Sequence, residues 1–378
     1  MKRTIFLIII FLFLNLTFFP AQERPRIREF GIETGVLKPG KWNAITDVAG
    51  VKVGHVTLIK GENIRTGVTA ILPHGGNIYM EKVPAAVYVA NGYGKLTGST
   101  QIEELGNIET PIILTNTLSV PTAADALIGY TLLLPGNERV GSVNAVVGET
   151  NDGFLNDIRG RHVKTEHVIE AIKNARTGPV EEGAVGAGTG TMCYRFKGGI
   201  GTASRKLPGP RGGYTVGVLV QTNHGGILQI SSYPVGINLR KYYMKDAFED
   251  EEEGSCMIIV ATDAPLDSRN LKRLAKRALL GIPRTGGYYS NGSGDYAIAF
   301  STAEGLRIAP RSSSRTMQIE VLRNSGMSRL FLAAAEAAEE AILNSLFKAQ
   351  AMEGRDGNRA KAFPLDKLKK MMREGQKR

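Results

Sequence analysis

The segment DAFEDEEEGSCMIIVATDAP, residues 246–265, gathers the residue types best suited to chemistry. Six acids fall within the nine residues from Asp246 to Gly254, and Gly254-Ser255 then leads into an apolar stretch, 256–262. So dense an acidic run reads as exposed loop, because like charges resist burial. Glycine reaches strained backbone angles closed to other residues. A serine hydroxyl beside it can attack the preceding carbonyl and form an ester, which water then opens. Gly254-Ser255 is therefore a candidate self-cleavage site that would leave Ser255 as the first residue of a new chain. The plainer alternative is a loop that runs into a strand, and spacing alone leaves both open.

Other reactive-looking features carry less. Gly186, Gly188 and Gly190, in the Gly-dense stretch 183–201, are spaced like a phosphate loop. The stretch lacks the strand–turn–helix frame and the distal acid of a dinucleotide site, so backbone packing is expected and no cofactor. His55, His74, His162, His167 and His224 show no close metal-ligand spacing, and no metal is expected. Cys193 and Cys256 could pair or remain buried thiols; two cysteines cannot staple so long a chain.

The elements that must position these residues follow from pattern. Short apolar runs predict strands at 43–47, 51–58, 66–72, 85–90, 112–115, 143–148, 214–222, 256–262 and 295–302, with 227–232 returning as a hairpin partner. Residues 121–134, 165–175, 267–280, 328–348 and 365–372 predict helices. Strands and helices come in runs as well as alternation, giving an α/β protein with a mixed, layered sheet core.

The chain has 378 residues, 42% of them apolar, and a net charge of +11. That apolar content excludes a disordered chain. Residues 1–21 open with Lys2 and Arg3, and 5–19 are almost entirely apolar. This is shorter than the roughly 20 residues of a spanning helix and reads as a secretory signal, with an uncleaved anchor as the alternative. An exported protein, periplasmic or secreted and without stable membrane association after signal removal, is expected. Residues 348–378 hold ten basic and four acidic residues, so a tail and the signal carry most of the charge. No aromatic-interleaved basic patch marks a nucleic-acid partner.

EGSCMIIVATDAPL resembles the processing junction of the L-aminopeptidase/D-esterase family, the DmpA-like and β-aminopeptidase group of self-processing serine peptidases. AITDVAGVKVGHVTL (44–58), VVGETNDGFLNDI (146–158), GAVGAGTGTMCYRFKGGIGTASR (183–205), YTVGVLVQTNHG (214–225), RTGGYYSNGSGDYAIAFSTA (284–303) and GRDGNRAKAFPLDKL (354–368) continue the likeness in order. The resemblance implies a four-layer αββα sandwich, similar to N-terminal-nucleophile hydrolases but differently connected. It implies one domain, 22–378, cut between Gly254 and Ser255 into chains 22–254 and 255–378. Ser255 would be the nucleophile, with its freed α-amine or the Ser293/Asp295 relay as base; family members usually carry Glu where Asp295 stands. Asn223 would stabilise the oxyanion, and His224 beside it lies outside the family's relay. Glu149 would hold the substrate's free amino group, and Asn151 stands where some members carry a Tyr. The implied activity is release of N-terminal residues from short peptides, amides or esters, in a homo-oligomer of processed pairs, tetramer or larger. An amidase or acyltransferase of the same fold, or an unprocessed inactive binding homologue, are the alternatives.

Overall fold

The computed structural model describes residues 23–245, 253–310, 312 and 314–375; the signal and the acidic residues 246–252 lie outside them. Ten strands build the two main sheets: β1 (Lys52–Lys60), β2 (Ile64–Leu72), β3 (Val83–Gly92), β4 (Asn107–Ile108), β5 (Ile112–Asn116), β6 (Val146–Thr150), β7 (Ile200–Lys206), β8 (Thr215–Asn223), β9 (Glu253–Thr262) and β10 (Gly292–Ser301). Sheet one has the order β1-β2-β5-β6 and sheet two the order β4-β3-β10-β9-β8-β7. Only β5/β6 and β9/β10 pair in parallel within them. Helices α1 (Val120–Leu132) and α2 (Thr165–Lys173) cover sheet one. Helices α3 (Ser268–Ala278) and α4 (Gly281–Arg284), with the long α5 (Met327–Lys348), cover sheet two.

Three apolar layers show the sandwich directly. Val56, Val68, Ile113 and Val147 meet Ala126, Val168 and Ile172 between sheet one and its helices. Ile71, Ile112 and Leu114 meet Leu219, Met257, Ile259 and Phe300 between the sheets. Cys256, Ile258, Val260 and Ala297 meet Leu271, Leu274, Ala334 and Ala341 between sheet two and its helices. This is the expected αββα arrangement. Sheet two is buried on both faces, which is why β9 reads as a continuous apolar run rather than an alternating one.

Local chemistry explains the helices. Asp267 caps α3 by accepting from Asn270 N at 2.8 Å. Leu271, Leu274, Ala275 and Ala278 form its buried stripe. Helix α5 is Ala-rich because it lies directly on β7: a Cβ at Gly201 would stand 1.9 Å from Ala341 O. Buried Arg205 of β7 ties the same helix down, meeting Glu336 at 3.1 Å and Glu340 at 2.7 Å. Burial pushes the Glu340 carboxyl up, but Arg28 and Arg205 outweigh it and hold it at about 2.

Some sequence expectations need correction. Residues 43–47 form no strand; Asn43 takes a positive φ and Ile45–Asp47 is a 3₁₀ turn. The strand placed at 143–148 begins only at Val146. Residues 227–232 do not return beside β8, whose neighbours are β7 and β9. Gly226, at φ +129°, turns the chain away, and Ile227 N and Gln229 N donate instead to Gly286 O and Thr285 O. Strand β7 went unrecognised because Thr202, Ser204 and Arg205 supply polar side chains that are buried. Both cysteines are buried free thiols.

Candidate active site

Ser255 sits near the start of β9, in the middle of sheet two. Its register partners are Asn223, at the last position of antiparallel β8, and Gly294 on parallel β10. The side chain is 6% exposed. Its hydroxyl donates to Gly254 O at 2.5 Å and accepts from Gly294 N at 3.3 Å. The candidate nucleophile thus rests against the carbonyl of the bond it would cut.

Strand alternation sorts the surrounding residues onto two faces. Met257 and Tyr296 belong to the layer between the sheets, and Ser255, Gly294 and Asn223 share that face. Cys256 and Ala297 belong to the helix-side layer, and Ser293 and Asp295 share theirs. Cys256 therefore points away from Ser255, as alternation predicts. Ser293 and Asp295 flank Gly294 beside Ser255, but in this uncleaved chain the partners of the Ser255 hydroxyl are backbone groups.

Asn223 is oriented by its surroundings. Its Oδ1 accepts from Met192 N at 2.9 Å, which fixes the amide and leaves Nδ2 as the presented donor. Met192 pairs with Lys197 in a short antiparallel ladder, and the buried Lys197 Nζ donates to Gly188 O at 3.0 Å, Thr191 O at 2.9 Å and Gly198 O at 2.7 Å. Burial lowers the Lys197 amine to about 7. Asp152 lies within its field, fully buried and raised to about 6 by desolvation. Neither Lys197 nor Asp152 stood out in the sequence, where only the flanking Gly198-Gly199 hinted that this backbone is closely packed.

Glu149 is the second-last residue of β6 and is 3% exposed. It accepts from Lys95 N at 3.0 Å and from the Thr117 hydroxyl. Burial raises its carboxyl above the ordinary range. Gly148 stands against Met257, since an added Cβ would lie 2.6 Å from Met257 Cε. Tyr296, beside Met257 in register, feels the Glu149 charge. Glu149 follows Gly148 on β6 and its partners are Lys95 N and Thr117, and its charge reaches the layer between the sheets at Tyr296. Asn151 is exposed, and its Oδ1 accepts from Gly153 N at 2.8 Å in its own turn.

Asp295 is 1% exposed and Ser293 2%. Burial raises the Asp295 carboxyl to about 6, while the Ser293 hydroxyl and Cys256 N–H pull it down. Asn91 clamps the loop before Ser293 by donating to Ser290 O at 3.0 Å and Asn291 O at 3.2 Å. His224 is fully buried and falls to about 4 by desolvation. The Gly-rich turn at Gly186 packs on β1 and β2, where a Cβ would meet Thr69 Oγ1 at 2.4 Å, the backbone role expected of it. Among the described residues no group of His, Cys, Asp and Glu is arranged to hold a metal, and no helix is long and apolar enough to cross a membrane.

The chain is similar to known proteins over most of its length. The profile of Peptidase family S58 matches residues 43–360. The beta-peptidyl aminopeptidase BapA of Sphingosinicella microcystinivorans is 41% identical, covering 94% of this chain and 93% of the relative. The crystal structure of the PH0078 protein from Pyrococcus horikoshii is 53% identical, with TM-score 0.86, covering 93% of this chain and 99% of that one. The L-aminopeptidase D-Ala-esterase/amidase of Ochrobactrum anthropi, described as a variant of the Ntn hydrolase fold, is 37% identical with TM-score 0.86 over the same shares.

Proposed function

Because the chain belongs to peptidase family S58 and is a peptide hydrolase, we propose that it is a self-processing serine aminopeptidase whose nucleophile is Ser255. The observation that carries this reading is the Ser255 hydroxyl, 2.5 Å from Gly254 O at a strand end, opposite Asn223 and beside the Ser293-Gly294-Asp295 segment.

In self-cleavage, Ser255 Oγ bonds to the Gly254 carbonyl carbon and its proton passes to the departing Ser255 nitrogen. The resulting ester is hydrolysed, leaving a Gly254 carboxyl and a Ser255 amine. Departure of Gly254 clears the space against His224 Cα, where a Gly254 Cβ would stand at 3.2 Å. A substrate carbonyl entering there meets Ser255 and the donor Nδ2 of Asn223. Glu149 draws the substrate's ammonium, since an opposite charge offsets its own burial. Ser255 then takes the acyl group, the amine product leaves, and water releases the acid. The base is the freed α-amine, with a reference pKa near 7.7–8.0, or Asp295 acting through Ser293 once the terminal residue is free to turn toward them.

The substrates of this reading are short peptides, amides or esters with a free amino group, handled without metal or cofactor. The protein is exported to the periplasm or medium after loss of residues 1–21, and works as a homo-oligomer of processed pairs. Intact-mass measurement tests the core of it. The wild type gives two fragments that meet at Gly254/Ser255, and Ser255→Ala gives one chain without hydrolysis. A Ser255→Ala protein that still splits at this bond overturns the mechanism.

A further inference from the structure

On the helix side of β9, His224, Ser293 and Asp295 line one small cavity with Ile282 and Tyr289. Its volume is about 10 Å³ for the centre of a water molecule, about the least that holds one water. Two buried polar atoms of its walls have no partner among the described residues, His224 Nδ1 and Asp295 Oδ2. Unpaired buried acceptors are costly, and each calls for a donor.

The neighbouring hydrogen bonds determine which His224 nitrogen carries the proton. Thr285 Oγ1 spends its single hydrogen on Gly281 O or Ile282 O, each at 3.0 Å. It therefore accepts from Tyr194 Oη at 2.8 Å. With the tyrosine hydrogen committed, Tyr194 Oη accepts from His224 Nε2 at 3.3 Å. The ring also packs edge-on against Tyr194, with centroids 5.0 Å apart. His224 is thus the Nε2–H tautomer, and Nδ1 is a bare lone pair. Two acceptors, one of them a carboxylate oxygen, face a space sized for one water, and a water has two hydrogens to give.

We propose that His224 is a positioning residue: its Nδ1 accepts from a single bound water that donates its other hydrogen to Asp295 Oδ2, holding the carboxyl toward Ser293. This rests on the serine-peptidase reading for its role, though not for its geometry. The chain Thr285–Tyr194–His224–water–Asp295 anchors the relay to the helix layer. The other ionisable groups around Asp295 are Cys256, Tyr289 and Tyr296, and burial keeps all three neutral.

The test combines kinetics with a readout that needs no activity. In the processed enzyme His224→Phe keeps a ring of similar size and removes the acceptor. It lowers kcat about tenfold with KM little changed, the coupling expected within one hydrogen-bond network. In an Asp295→Asn background the same change adds no further loss; independent, multiplying losses overturn the proposal. Separately, ¹⁵N NMR of the uncleaved Ser255→Ala protein shows His224 as the Nε2–H tautomer with a hydrogen-bonded Nδ1. Asp295→Asn shifts that Nδ1 signal. An Nδ1–H tautomer, or a signal indifferent to Asp295, refutes it whether or not the chain proves to be a serine peptidase.

Discussion

Titration of Asp295 should be visible in the kinetics. Burial lifts its carboxyl to about 6, so roughly 9% is ionised at pH 5 and roughly 91% at pH 7. Only the carboxylate can draw a proton from Ser293, so kcat rises about tenfold across that interval. The assay is initial rates on a chromogenic amino-acid anilide at constant ionic strength. Glu149 also has a raised carboxyl, but its charge holds the substrate, so it enters KM rather than kcat. Asp295→Asn removes the limb together with most of the rate. A flat kcat from pH 5 to pH 7, or the same limb in Asp295→Asn, refutes the assignment. The shift has a stability sign as well. A carboxyl raised in the folded state favours folding while protonated, and that contribution is lost as pH rises through about 6. At pH 7 the ionised group costs about 3 kcal/mol, so Asp295→Asn should gain stability relative to wild type between pH 4 and pH 7.

Two further outcomes are expected. Glu149→Gln raises KM for substrates with a free amino group by about tenfold or more while kcat changes little, and an equal fall in kcat with KM constant would count against an ammonium site. Arg205→Met leaves Glu336 buried without its cation and Glu340 with Arg28 alone, and destabilises the fold by about 3–5 kcal/mol in urea titrations. Glu340 sits near 2, depressed from 4.5, so its contribution is present above about 4.5 and fades as pH falls toward 2. The gap between wild type and variant should narrow in acid, and a gap that widens there would refute the pairing.

Different parts of the molecule were readable in the sequence for different reasons. The β9 run and the α3 stripe announce themselves because burial and capping leave local patterns. Ser255, Asn223 and Ser293-Gly294-Asp295 lie far apart in the chain and meet only through register, so pattern alone could not join them; resemblance did. Residues 227–232 look like a strand because they are apolar, but Gly226 sends their N–H groups to another loop. Lys197, Asp152, Tyr194 and Thr285 were silent, because their roles rest on contacts with distant backbone and side chains. The division of the site into two faces is likewise a property of the β9/β10 register, not of spacing along either strand.

The strand order of sheet two bears on what a cut at Gly254-Ser255 would produce. Strands β3 and β4 on one side, and β7 and β8 on the other, precede the cut, while β9 and β10 follow it. The later fragment is a wedge driven into a slot in the earlier one, laddered along both edges. Parting the two would tear β9 from β8 and β10 from β3 and strip α3 and α5 from the sheet at once. Dilution should therefore never yield either piece in folded form, and pairs carrying different isotopes should not trade partners. The chain must also finish folding before it is cut, since neither half offers the other a completed surface on which to dock.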